Sequence, residues 1–180
     1  MRFHLSILLN WLFFLATIFA LIIIQSSFIN AILPSYVVPD FISIMVVYVG
    51  IKRGLGEGIF FTLVMSYLYS MNSSIEIIPA SFFELMVLFA ARYAGSNFYI
   101  STARDFMLTI AGIVFIQKFI ISLWLNWGSW LIFLSFIPQT VSRTVVTAAV
   151  GLLVFKILYR IDVVTHRIEL ESVEDNRGLF

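Results

Sequence analysis

Long apolar runs alternate with short polar breaks along the whole chain. Six runs stand out, at approximately Leu5–Ile24, Val38–Ile51, Leu55–Met71, Ile77–Gly95, Arg104–Asn126 and Trp130–Tyr159. The hydrocarbon core of a bilayer is about 30 Å thick and takes about 20 helical residues to cross. The pattern predicts an all-α polytopic integral membrane protein with about six transmembrane helices. The second and third runs are short, and each suits a partial helix, a re-entrant element or half of a broken hairpin. Residues 1–160 then form a single transmembrane domain, and 161–180 a mixed-charge cytoplasmic tail.

The breaks carry a second pattern. Arg2 precedes the first run, Lys52 and Arg53 follow the second, Arg92 and Arg104 flank the fourth break, and Lys156, Arg160, Arg167 and Arg177 close the chain. The intervening breaks, Gln25–Val37, Asn72–Glu76 and Trp127–Ser129, have no Lys or Arg. Positive charge thus alternates break by break, and the positive-inside rule places both termini in the cytoplasm. Aromatic residues agree with this orientation. Trp124, Trp127 and Trp130 gather at the outer end of the last two spans, and Tyr93, Tyr99 and Tyr159 lie near the inner face, where amphipathic rings anchor in the headgroup zone.

Composition narrows the class. Of 180 residues, 61% are hydrophobic and 12% charged, and the mean hydropathy is +1.03. Soluble domains carry about 25% charged residues, so this chain cannot clothe a water-facing surface. A net charge of +1 gives no reason to expect nucleic acid as a partner. The absence of cysteine excludes disulfides, thiolate metal sites and cysteine nucleophiles. His4 and His166 lie near opposite ends, which leaves little for a zinc or haem site, and no cofactor is expected. No H-E-x-x-H and no Walker A sequence occurs. The first apolar run is too long for a signal-peptide core and reads as a retained helix.

Charge inside the spans is the main candidate chemistry. Glu84 and Lys118 each lie roughly 10–12 Å from the outer ends of their spans, at 1.5 Å rise per residue. Arg143 sits near the middle of the last span, with Gln139 about one helical turn away and Gln117 beside Lys118. A charge at mid-bilayer costs about 2.5–3.5 kcal/mol on insertion scales and so faces a partner in the protein interior. Matched depth makes Glu84–Lys118 the expected pair. The cluster Glu84, Lys118, Arg143, Gln139 and Gln117 forms either a groove for a ligand or partner helix, or an internal clamp. Ala16-x-x-x-Ala20 and Ala91-x-x-x-Gly95 permit close helix approach. Lys52-Arg53 followed by Gly54, Gly56 and Gly58 reads as a cytoplasmic hairpin: the basic pair selects the side and the glycines make the turn, with Glu57 capping the pair or starting the next helix.

The stretch VVPDFISIMVVYVGIKRGLGEG resembles the MreD family of bacterial rod shape-determining proteins. The resemblance rests on Pro39-Asp40 leading into the second span, Tyr48 near its end, then Lys52-Arg53 and Gly54 and Gly58; the last span and basic tail, Leu152–Arg167, are similar too. The chain departs from the family at Ser66–Ser70, where a Gly-Leu-x-x-Asp pattern is usual. The resemblance implies a non-enzymatic scaffold in the bacterial cytoplasmic (inner) membrane, part of the elongation complex that guides lateral peptidoglycan synthesis. Its implied partners are a MreC-like single-span protein, the filament protein MreB, the glycosyltransferase RodA and a class B penicillin-binding protein, with the basic hairpin available to anionic lipid or a cytoplasmic filament. The layout is also similar to the substrate-binding subunits of energy-coupling-factor vitamin importers, for which Ala16 and Ala20 would dock a membrane partner and the depth of Glu84 and Lys118 would suit a ligand.

Overall fold

A computed structural model of the chain describes residues 2–29, 34, 37–72, 77–98, 100, 102–125 and 130–165. The expected tail beyond residue 165, Trp127 and the polar breaks at 73–76 and 126–129 lie outside the described residues. Regular structure among the described residues is helical throughout. The helices are α1 (Arg2–Ile23), continued by a π-helical turn at Ile24–Ile29, then α2 (Phe41–Lys52), α3 (Leu55–Asn72), α4 (Ile77–Asn97), α5 (Ala103–Leu125) and α6 (Trp130–Val164).

Among the described residues, four helical segments are long and apolar enough to cross a membrane: Ile7–Ser27, Ile77–Asn97, Ala103–Trp124 and Leu134–Val164. Their outward faces carry large apolar residues such as Leu12, Phe19, Phe82, Phe89, Leu153 and Ile157. Such a surface suits hydrocarbon and not water, and the chain is a membrane protein. The six apolar runs are all helical, but α2 has 12 residues, about 18 Å at 1.5 Å per residue, and is shorter than the hydrocarbon core. The 35-residue α6 is about 52 Å long and exceeds the bilayer core. It runs past Tyr159, and residues assigned to a solvated tail, Asp162 and Thr165, are buried.

The short helix is the centre of the molecule. Every residue of α2 from Phe41 to Gly50 is buried, and α2 touches α1, α3, α4, α5 and α6. Its sequence FISIMVVYVGIK has no polar stripe, as expected of a helix surrounded by others. The neighbours each turn one stripe toward it. Asn10, Phe14, Ile18 and Ile22 recur every fourth residue on α1; Ala80, Glu84, Val87, Leu88 and Ala91 do the same work on α4; Phe106, Ile110, Val114 and Gln117 on α5. Spacings of three and four place these side chains on one helical face.

The α2–α4 crossing is backbone-close. A Cβ on Gly50 would fall 2.8 Å from Ala91 Cβ and 2.9 Å from Leu88 O, and one on Gly95 3.3 Å from Ile51 Cα. The Ala91-x-x-x-Gly95 pattern is therefore used internally, against Gly50 and Ile51, as small-residue patterns are in membrane interiors. The expected glycine turn is smaller than the sequence pattern indicated. Only Arg53 and Gly54 separate α2 from α3, while Gly56 and Gly58 already belong to α3. Gly54 and Gly56 face open space, and Gly58 faces Leu88 Cδ1 at 3.1 Å. A helix needs no extra glycine to start once the preceding turn has reversed the chain.

Gly50→Ala should cost about 1–3 kcal/mol through overpacking, because one of the atoms in the way is backbone. Gly56→Ala should be neutral or stabilising by up to about 1 kcal/mol, since its Cβ meets nothing and alanine favours the helix. Thermal unfolding of the two variants in mild detergent separates them; equal melting temperatures would remove the close crossing.

Candidate functional site

A buried helix must satisfy its own terminal N–H and C=O groups without water, and polar clusters meet both ends of α2. At its start, Asp40 is the N-cap and its Oδ1 accepts from Ser43 N at 3.2 Å. The Asp40 N–H donates to Thr147 Oγ1 of α6 at 3.0 Å, and the Phe41 N–H to Gln25 Oε1 of the π-helical turn at 3.2 Å. Aspartate at this position suits the orphan donors of a first turn. At its end, Arg53 N donates to Val49 O at 2.9 Å, and Arg92 Nη1 from α4 donates to Arg53 O at 2.5 Å. Side chains of three other elements thus complete the backbone of one short helix.

The Asp40 end gathers the intramembrane charges. Lys118 Nζ lies 2.5 Å from Asp40 Oδ2. This corrects the expected Glu84–Lys118 pair: the buried N-cap carboxylate, not the carboxylate at matched depth, takes the ammonium. Glu84 is instead held by neutral donors. Gln117 Nε2 donates to Glu84 Oε1 at 3.0 Å. The Ser43 hydroxyl lies 3.1 Å from Gln117 Oε1 and 3.5 Å from Glu84 Oε1, which favours Gln117 as the acceptor of its single hydrogen. Glu84 Oε2 is buried and has no hydrogen-bond partner among the described residues; such an oxygen costs about 1–3 kcal/mol. A cavity of about 210 Å³ opens here, with Asp40, Tyr69, Phe83, Glu84, Lys118 and Trp124 in its wall.

The structure therefore brings Glu84, Gln117 and Lys118 together and adds Asp40 and Ser43. Arg143 is half-buried and close enough to act electrostatically on Asp40 and Tyr69, with its Nε unbonded among the described residues. Gln139 is exposed and takes no part in the cluster. Pro138, inside α6, lies one residue before it, on the stretch of α6 whose side chains are mostly exposed. Ala16 and Ala20 are both exposed on α1, so that small-residue pair is not used within the chain.

The Arg53 end changes one expectation for the hairpin. Arg53 is 2% exposed and so is not available to lipid or a filament. Its Nη2 lies 2.6 Å from Asp162 Oδ1, and its Nη1 donates to Asn10 Oδ1 at 2.6 Å. Its guanidinium covers the Phe14 ring at 4.9 Å from the centroid. Asp162 also accepts from Tyr48 OH at 2.5 Å and from Asn10 Nδ2 at 2.9 Å. Glu57 stands 4.0 Å from Arg53 and accepts from Trp11 Nε1 at 3.1 Å, which fits its expected role beside the basic pair. Lys52 is half-buried and remains at the edge. Asn10, Ser43, Thr147 and Asp162 were missed from the sequence. Asn10 offered a signal, a lone amide in an apolar run, because polar groups inside membranes face the interior.

Two tests follow from the ion pairs. Asp40→Asn keeps the capping oxygen and Lys118→Met keeps the apolar stem. Each single change should cost about 2–3 kcal/mol, below the range for a fully buried pair because Lys118 is 19% exposed. The double variant should regain most of that loss in detergent unfolding; additive losses would mean that the two groups do not interact. At the other end, Asp162→Ala should cost about 3–5 kcal/mol by stranding Arg53, and Tyr48→Phe about 1.5–3 kcal/mol, one hydrogen bond to a charged group. An Asp162→Ala protein as stable as the parent would place Asp162 in solvent.

Comparison of the chain with family models, curated proteins and solved structures finds no match.

Proposed function

We propose that this chain is a non-enzymatic membrane scaffold of the bacterial cell-shape and elongation machinery, of the MreD kind. In this reading it crosses the cytoplasmic membrane with both ends inside and α2 and α3 as its short spans. It binds a MreC-like single-span protein and helps organise lateral peptidoglycan synthesis with MreB, RodA and a class B penicillin-binding protein. One observation supports the reading most. The residues that carry the resemblance bracket a single buried helix, and their polar groups serve as framework: Asp40 pairs with Lys118, Tyr48 bonds Asp162, and Arg53 joins Asp162 and Asn10. Residues committed to one another in this way hold a shape and present surfaces, which is what a scaffold needs. Contact with anionic lipid or a filament at the inner face then falls to exposed cations, Arg104, Lys156 and Arg160, in place of the buried Arg53.

The open Ala16–Ala20 face and the cavity at Glu84 favour a second reading, a substrate-binding subunit of an energy-coupling-factor importer. Purification of the tagged chain in mild detergent, with mass spectrometry of what is retained, separates the two. A MreC-like single-span protein and cell-wall synthases are the expected companions; paired ATPases in their place would overturn the scaffold reading. The orientation has its own check in this cysteine-free chain. Cysteines introduced at Asn72 or Ser129 should react with an impermeant thiol reagent in intact cells, and protection at both would reverse the topology.

A further inference from the structure

The cavity at the start of α2 has the wall of an amine site. Its volume is about 210 Å³, against about 150 Å³ for an engineered apolar cavity that takes benzene. A molecule of one ring with a short chain fits such a space. The wall has two carboxylates, Asp40 and Glu84, and one ammonium, Lys118. Lys118 is committed to Asp40 at 2.5 Å. Glu84 is 8% exposed, and its Oε1 is engaged by Gln117 while its Oε2 has no partner. Glu84 Oε2 is thus the one carboxylate oxygen of the wall that receives no hydrogen bond among the described residues.

The rest of the wall favours a cation over a neutral donor. Tyr69, Phe83 and Trp124 line the same space, and Phe83 and Trp124 meet edge to face with centroids 5.9 Å apart. Aromatic faces attract ammonium groups and also accept an apolar body. An acceptor oxygen among aromatic rings is how small cationic amphiphiles are held in apolar pockets. We infer that this cavity binds a small amphipathic amine, its ammonium on Glu84 Oε2 and its ring-sized apolar body against Phe83 and Trp124. The inference stands apart from the scaffold reading, because a shape protein and a transporter subunit could each carry such a site.

Phenethylamine is a suitable probe, and propylbenzene, with a methyl in place of the ammonium, is its neutral counterpart. The full chain is purified in mild detergent and equilibrium binding of radiolabelled phenethylamine is measured. Saturable binding at one site per chain is expected, with little competition from propylbenzene. Glu84→Gln retains the oxygen that Gln117 needs and should weaken binding about tenfold or more, since a charge-assisted bond is lost. Ala80→Phe, which fills the cavity from α4, should abolish it; thermal unfolding confirms that both variants are folded. Absence of saturable binding to the parent chain, or equal binding by the Glu84→Gln variant, would overturn the proposal. Full competition by propylbenzene would do the same, because it would leave the pocket apolar and the carboxylate idle.

Discussion

The structure depends on the burial of a 12-residue helix on every side. A helix that short leaves a large share of its N–H and C=O groups without partners inside itself, and water is not at hand to take them. Something else must. The answer at each end of α2 is a buried ion pair with hydrogen bonds around it: Asp40–Lys118 at the start and Arg53–Asp162 at the finish. The partners come from α5 and α6, and Asn10 of α1, Thr147 of α6 and Arg92 of α4 complete the two sets. Each surrounding helix therefore has a fixed angular setting, because turning it would take its polar residue away from α2. Apolar packing alone would not specify this so narrowly in a membrane, where lipid competes for the same contacts.

Much of the helical layout was legible in the sequence. The six apolar runs coincide with the helices to within a few residues, and the shortness of the second is real. What the sequence could not show was that the second run is the core. Its uniform apolarity reads equally well as lipid-facing or as protein-facing, and only the neighbours' stripes decide between them. The same ambiguity hid the burial of Arg53. A basic pair at the end of an apolar run marks a membrane boundary by rule, but the rule counts charges and does not see their partners. Asp162, more than a hundred positions later, was assigned to a tail for its company of charges. Its three donors come from α1, α2 and the residue that follows α2, and no local pattern connects them.

The Glu84–Lys118 expectation failed for a more instructive reason. Depth matching treats carboxylates as interchangeable, and they are not. Asp40 accepts from the first turn of a helix whose partial positive end it already faces, and it is fixed in place by the Asp40 N–H to Thr147 bond. Lys118 closest to such a preorganised acid gains a short, well-directed contact. Glu84, on a longer side chain, takes the Gln117 amide as its donor instead. The cluster was thus predicted in part: Glu84, Gln117 and Lys118 meet as expected, while Gln139 stays outside and Asp40 and Ser43 join, since burying charge calls for partners but backbone geometry selects them.

The two ends of α2 differ in one respect that bears on function. At the Arg53 end, polar groups bind one another across short distances and aromatic rings close over them: Phe14 under the guanidinium and Phe106 and Phe155 around Tyr48. At the Asp40 end, the same kind of cluster borders a cavity and leaves a carboxylate oxygen unbonded. Glutamine at the same position would keep the contact of Glu84 Oε1 but would bury an unbonded amide N–H in place of the oxygen, so the clamp alone prefers neither. The cavity is what sets this end apart: it gives the carboxylate oxygen a space that a bound group can enter, whereas rings close over the Arg53 cluster.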